Sequence, residues 1–277
     1  MLGTYIHRFA LPKGHQVFVP STQARHEGSE IQAGVRRQWR APPYYYHLRV
    51  GGHVSALKVH LANQIFATLD ICGFFDSVTR SKIHRALRRI GVQQEPAREI
   101  AQRSTVEKTD GRRNFSLPYG FVQSPILASP ALDKSGLGRV MKAVARSNHT
   151  KLTSYVDDII LSGIEEDAVE ASRLALIAAA QNSGFAINID KSQRCASEVT
   201  AFNIRLSNGS MAITERRMQE FETALERSDP RKAVGIVSYV RSVNHSQAEE
   251  LAKQIMAFPE GEVRDAVLEL AANWPMN

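Results

Sequence analysis

Two adjacent aspartates, Asp157-Asp158, stand between the apolar runs Leu152–Val156 and Ile159–Leu161, and no other stretch narrows the fold so far. Short apolar runs on either side of a polar pair read as two β-strands folded back on each other, with the carboxylates at the turn. Ionised side by side, the two acids raise each other's pKa unless a cation lies close. Taken alone, an Asp-Asp pair also marks an ordinary exposed turn, because Asp favours turns. The apolar flanks weigh against that plainer reading.

The rest of the chain supplies a frame for such a hairpin. Ile65–Ile71 is another short apolar run and reads as a buried strand that carries Asp70 near its end. Ser77 or Thr79 then caps a helix in which Ile83, Leu87 and Ile90 recur at helical spacing, with Gly91 just past its end. Lys82, Arg85, Arg88 and Arg89 lie on the outer face of that helix. A second short helix is expected to follow Pro96, with a turn at Pro118 to Gly120 and one helix over Ile126–Val144. Glu165, Glu166 and Asp167 open a further helix, where acids suit the positive end of the macrodipole, and Gly184 closes it. Phe185, Ile187 and Ile189 alternate as a strand, and Val199–Leu206 and Met211–Ile213 read as strands joined through Asn208-Gly209.

From Thr214 the pattern is helical, with Met218, Phe221 and Leu225 in one stripe and Ile236, Tyr239 and Val240 in another. Residues 1–45 read as irregular and basic, with Arg25, Arg36, Arg37 and Arg40 leading into Pro42-Pro43-Tyr44-Tyr45-Tyr46. That stretch is either a solvated arm or a basic, aromatic surface for a nucleic-acid strand. The fold class is therefore α+β: helices mixed with an antiparallel sheet over residues 1–213, and a helical unit over 214–277.

Charge and cysteine content bound the partners. A net charge of +7 and a pI near 9.5 favour polyanions, although charge also serves solubility. The cysteines, Cys72 and Cys195, lie far apart with no CxxC pair, so they read as reduced thiols and a structural zinc is not expected. Cys72 reads as a small buried residue without chemistry of its own. No run is long and apolar enough to span a bilayer, and the N-terminus has no apolar core of signal-peptide type, so a cytoplasmic protein without a membrane partner is expected.

Several segments resemble known catalytic blocks. Leu69-Asp70-Ile71-Cys72-Gly73-Phe74-Phe75-Asp76-Ser77-Val78 resembles the first block of reverse transcriptases. Leu117-Pro118-Tyr119-Gly120-Phe121-Val122-Gln123-Ser124-Pro125 resembles the second, and Tyr155-Val156-Asp157-Asp158 resembles the Tyr-x-Asp-Asp signature. Phe185–Lys191, with Lys191-Ser192 at its end, resembles a fourth block, and Val199–Leu206 stands where the primer grip falls. Order and spacing match across residues 45–213, which makes the set specific. It resembles bacterial reverse transcriptases of retrons, group II introns and antiviral defence systems more than retroviral ones, without the RNase H, maturase or endonuclease extensions of some relatives.

This resemblance implies a right-hand polymerase: fingers over residues 1–64 and part of 79–116, an antiparallel-sheet palm, and a short helical thumb from 214. It implies an RNA-directed DNA polymerase that adds dNTPs to a primer 3′-hydroxyl with two Mg²⁺ or Mn²⁺ ions. Asp70, Asp157 and the backbone carbonyl of Ile71 would ligate metal, with Asp158 as the third carboxylate. Phe75, five residues after Asp70, falls at the bulky gate against a ribose 2′-hydroxyl, or is simply a core aromatic. Tyr119 and Gly120 would meet the nucleotide, although many relatives carry Gln where this chain has Tyr119. Ser124 and Pro125 would start a helix under the template, with Tyr155 on the template–primer side. Lys191 would serve the leaving pyrophosphate, or is a surface lysine.

Arg49, with Arg40 behind it, is the candidate triphosphate clamp, or a plain surface charge. His53 is expected to be a structural hydrogen bonder. Lys232, Arg241 and Lys253 would track a primer–template duplex. The implied partners are an RNA template, a structured noncoding RNA in the retron-like case, together with its DNA product; oligomeric state is left open. An RNA-directed RNA polymerase and a catalytically idle RNA-binding scaffold are the alternatives.

Overall fold

The basic N-terminal stretch is regular rather than irregular. In the computed structural model, which describes residues 5–11, 14, 16–108, 114–256 and 260–274, Tyr5–Ala10 (β1) and Gln16–Pro20 (β2) form an antiparallel hairpin. A helix, Thr22–Gln38 (α1), follows. Ser21 starts it, its Oγ accepting from the Ala24 N–H at 3.2 Å. Arg25, Arg36 and Arg37 lie on the exposed side of α1 and Arg40 is exposed just past its end, while Gly28 and Val35 are buried. Pro42-Pro43 breaks only what comes after.

A single 3₁₀ turn, Tyr46–Leu48, leads to Gly52–Lys58 (α2) and the strand Ile65–Cys72 (β3). Phe74–Ser77 (α3), Arg80–Arg89 (α4) and Gln94–Arg103 (α5) come next, then the short pair Val106–Glu107 (β4) and Phe115–Ser116 (β5). Thr79 caps α4 as expected, its Oγ1 accepting from the Lys82 N–H, and Gly91 takes the left-handed conformation beyond the helix end.

The single helix expected over 126–144 is two, Ser124–Asp133 (α6) and Gly136–Ala145 (α7). Ser135 divides them by capping α7, with the Gly138 N–H donating to its Oγ at 3.1 Å. The acidic hairpin is Thr150–Tyr155 (β6) and Asp158–Gly163 (β7), followed by Glu166–Asn182 (α8).

The strand expected over 185–189 shrinks to Ala186–Ile187 (β8), because Asn188–Ser192 folds back onto β3. After Gln193–Ala196 (β9), the strand expected over Val199–Leu206 is two: Glu198–Ala201 (β10) and Ile204–Ser207 (β11). Phe202 and Asn203 between them both have positive φ, 57° and 61°, the backbone of a two-residue hairpin turn. Asn208-Gly209 makes the next turn, into Ser210–Ile213 (β12). Four helices complete the chain: Glu215–Leu225 (α9), Pro230–Val243 (α10), His245–Met256 (α11) and Glu262–Ala272 (α12).

The central sheet has five strands, in the order β6-β7-β3-β8, with β9 also paired to β3. Strand alternation sorts its two faces. Ala67, Leu69, Ile71, Ile159 and Leu161 join one core with α4 and α6–α8, whereas Phe66 and Ile160 join a second core with β10–β12 and the C-terminal helices. Each fully buried Leu, Ile or Phe contributes about 1.5–3 kcal/mol. The central strands are therefore clamped from both sides along most of their length, which fixes where they end. Among the described residues no helix is long and apolar enough to cross a membrane.

Candidate active site

Register brings the acids together. Asp70 on β3 lies directly opposite Asp158 on β7. Directly opposed residues of an antiparallel pair hold their Cβ atoms about 4.5–5.5 Å apart. By strand alternation both carboxylates leave the same face of the sheet as Phe66 and Ile160, at the end where the covering core runs out. Asp157 sits in the turn between β6 and β7, and its carbonyl accepts from the Ile71 N–H at 3.0 Å. The turn and the end of β3 are thus fastened backbone to backbone.

The turn itself is strained. Val156 has φ +58°, a left-handed conformation that a β-branched residue adopts at a cost of about 1–3 kcal/mol. His47 holds it there: its Nδ1 accepts from the Val156 N–H at 3.2 Å, and its Nε2 lies 2.8 Å from Ser129 Oγ on α6. Burial pulls the His47 pKa down to about 4. The ring is neutral near pH 7, and these partners place its proton on Nε2.

A second anchor comes from the 188–192 turn. The Asn188 N–H donates to the Asp70 carbonyl at 2.8 Å, and the Asp70 N–H donates to Ser192 Oγ at 3.1 Å. This fold-back delivers Lys191, whose Nζ lies 3.6 Å from Asp70 Oδ2.

Electrostatics mark the cluster. Burial, then Asp157 and Asp70, push the Asp158 pKa up to about 7, while Lys191 pulls against them. Burial and the charges of Asp76, Asp157 and Asp70 push Tyr119 up to about 12, so its hydroxyl keeps its proton. The Tyr119 ring lies 5.0 Å from that of Phe75, which is half-buried. Asp70, Asp158, Asp157, Lys191, Tyr119 and Phe75 therefore form one neighbourhood.

Among the described residues no group of three or more His, Cys, Asp or Glu side chains is placed to hold a metal ion. Mg²⁺ rarely needs such a set, since it commonly takes one or two carboxylates and completes its shell with water and phosphate oxygens. The donors are hard oxygens, and the repulsion from Asp157 and Asp70 that adds to burial in lifting Asp158 is what a divalent cation relieves. On those two grounds the residues fit Mg²⁺ or Mn²⁺.

Other expected site residues stand in varied relation to this cluster. Gly120 has φ +99°, and its bare Cα faces the Phe18 carbonyl so closely that a Cβ would overlap it. The close approach that demands glycine here is thus to strand β2. Ser124 is buried and its Oγ donates to the Pro118 carbonyl at 2.7 Å, while Pro125 occupies the first turn of α6. Tyr155 packs among the rings of His47, His53 and Phe202.

Arg49 turns to the Pro43 carbonyl and the Tyr46 ring, and Arg40 lines a separate cleft with Asp133 and Lys151. His53 is the hydrogen bonder expected, its Nε2 lying 3.0 Å from the Tyr239 hydroxyl on α10. Lys232 and Lys253 are exposed, whereas Arg241 lies over the Trp274 ring. Cys72 is exposed at the end of β3 rather than buried, because the strand leaves the core there. Sequence reasoning missed His47, Asn188 and Ser192 as supports of the acids. Asn188 lay inside the Phe185–Lys191 segment and Ser192 directly after it, whereas His47 lay beside no recognisable signal.

Comparison with known proteins places this arrangement. The family described as reverse transcriptase (RNA-dependent DNA polymerase) matches residues 20–235. The chain is 28% identical over 224 residues to a retron Mx65 reverse transcriptase from Myxococcus xanthus, covering 70% of this chain and 50% of that protein. It is 26% identical over 130 residues to the Gag-Pol polyprotein of avian reticuloendotheliosis virus, covering 45% of this chain and 11% of the polyprotein. The chain thus spans half the length or less of these curated relatives.

Among solved structures, the foamy viral protease–reverse transcriptase in complex with double-stranded DNA superposes with a TM-score of 0.53 at 14% identity, covering 96% of this chain and 42% of that one. An apo telomerase from Candida tropicalis gives 0.51 at 10% identity, covering 89% and 48%. These likenesses give the fold as the right-hand polymerase fold. Asp70 and the Asp157-Asp158 turn both fall inside the matched span, and the chain belongs to the reverse transcriptase (RNA-dependent DNA polymerase) family.

Proposed function

We propose that this chain is an RNA-directed DNA polymerase that extends a primer 3′-hydroxyl with dNTPs by two-metal phosphoryl transfer. The observation that carries the reading is the register of Asp70 against Asp158 at the open end of β3 and β7, in a chain of this family. Residues 1–213 would form fingers and palm, and 214–277, whose last three residues lie outside those described, a helical thumb.

Asp70, Asp157 and Asp158, with the Ile71 carbonyl, would hold two Mg²⁺ or Mn²⁺ ions. When bound, such ions lower the pKa of the attacking hydroxyl and neutralise charge on the leaving group. The chain's own residues do the rest. Phe75, backed by Tyr119, presents a ring where a 2′-hydroxyl would have to fit. The Tyr119 hydroxyl stays a donor at any physiological pH. Lys191 offers positive charge, or a proton, on the pyrophosphate side. Ser124, Pro125 and Tyr155 would lie under the template–primer, and Arg49 and Gly120 would complete the nucleotide side.

In this reading the template is a dedicated structured noncoding RNA and the setting is cytoplasmic antiviral defence, as the sequence resemblance implies. Primer extension on RNA and DNA templates with dNTPs or rNTPs, comparing the wild type with Asp157→Asn, tests the activity. Mg²⁺-dependent dNTP addition on RNA that Asp157→Asn abolishes is expected. Extension that survives the substitution, or a preference for rNTPs, overturns it.

A further inference from the structure

Across the central sheet from the carboxylates lies a cleft of about 480 Å³ between α4, α7 and the end of α8. Lys82, Arg85, Arg89, Lys134 and Arg139 line it, and among the described residues no Asp or Glu does. Its lining residues Ala86, Ala131, Val140 and Ala179 belong to the core on the face of β3 and β7 opposite Asp70 and Asp158. The cleft is therefore separate from the acidic cluster.

Three of the five cations are held in place by the fold, and Arg85 and Arg139 are exposed beside them. Lys82 Nζ donates to the carbonyls of Ser77 at 3.0 Å and Gly184 at 2.7 Å. Arg89 donates to the Lys134 carbonyl, and Lys134 Nζ pairs with Asp133 at 2.9 Å. Among the described residues, Lys134 alone of these five pairs with an acid. Burial first, and then the charges of Arg85 and Lys108, pull the Lys82 pKa down to about 8. Ser135 and Gly136 bring the amino end of α7 to the same cleft, and the helix dipole there also favours an anion.

Like charges gathered on a rigid wall are costly without a counter-charge. Among the described residues the lining also has no aromatic ring on which a base could stack, so the cleft has the means to hold phosphate and not to read a base. We propose that this cleft binds the phosphodiester backbone of RNA held outside the primer–template duplex. The identity of the polyanion rests on the polymerase reading given above.

Arg85 and Arg139 are exposed, so Arg85→Gln with Arg139→Gln spares the core and both Lys82 bonds. The test measures the affinity of a long labelled single-stranded RNA between about 50 and 200 mM salt. Losing two phosphate contacts lowers the slope of log K against log salt by about 1.4 and weakens binding roughly tenfold near 0.15 M. Extension of a short primer–template without flanking RNA keeps its kcat and dNTP KM, and Arg85→Lys with Arg139→Lys restores the slope.

An unchanged slope overturns the inference. So does binding to anionic lipid vesicles that the Gln substitutions abolish while RNA affinity stands. A wild type that extends no primer, yet shows the slope change, would remove the polymerase reading and leave the cleft.

Discussion

Replacing Asp158 with Asn should make the metal-free protein more stable while removing its activity. In the folded chain the Asp158 pKa rises from 3.8 to about 7, through burial and the neighbouring charges of Asp157 and Asp70. Three units at about 1.36 kcal/mol each set an upper limit of about 4 kcal/mol for the cost of ionising it in place. The side chain is partly open to solvent and the repulsion is shared with Asp157, so about 2 kcal/mol is the expected gain. A chain of this size gains about 2–4 °C in Tm per kcal/mol, which makes the shift about 4–8 °C.

The sign follows from proton counting. Between about pH 4 and 7 the folded protein keeps a proton on Asp158 that the unfolded chain has released, so wild-type stability falls as pH rises through that window. Asn has no such proton. The gap between variant and wild type opens from pH 4 to 7 and stays flat above. Thermal melts of both proteins in EDTA, from pH 4 to 9, read it directly. Added Mg²⁺ narrows the gap by stabilising the wild type alone. A gap independent of pH, or a variant less stable than the wild type at pH 8, refutes the crowding argument.

Phe75→Ala should cut discrimination against rNTPs roughly tenfold to a hundredfold, the range for one steric contact in a pocket, read from the ratio of kcat/KM values. Gly120→Ala sets a Cβ against the Phe18 carbonyl in a left-handed backbone, and should cost about 1–3 kcal/mol in denaturant unfolding. His47, with its pKa drawn down to about 4, resists a proton that the unfolded chain accepts near 6.5, so stability is lost as pH falls through that interval. His47→Gln should flatten this acid limb and lower kcat more than it raises KM for dNTP, measured by melts and steady-state extension.

How much of this was legible depends on which interactions are local. The Asp157-Asp158 hairpin, the Asp70 strand and the Thr79 cap announce themselves through period and punctuation, which neighbours in sequence carry. The helix α1 was hidden because its arginines mask a buried side of few residues, Gly28 and Val35 among them. The break at Ser135 was hidden because apolar residues run on helical spacing across it, and only the cap divides them. Phe202-Asn203 lacks the glycine that usually signals a tight turn, so one strand was expected where two stand.

The supports of the site were illegible for a deeper reason. Asp158 is held in an unfavourable state beside Asp70, and Val156 in an unfavourable backbone, so local preference speaks against both. What stabilises them comes from afar: His47 lies 109 residues before Val156, and Ser192 lies 122 residues after Asp70. Each supplies a hydrogen bond worth about 1 kcal/mol net, comparable to the strain at Val156. The larger balance is the apolar clamp on β3 and β7, where Leu69, Ile71 and Ile159 are almost fully buried within one or two residues of the acids. A site assembled against its local preferences must lie next to the most secure part of the core. The same apolar runs that made the hairpin visible in the sequence are therefore what allow its acids to stand so close together.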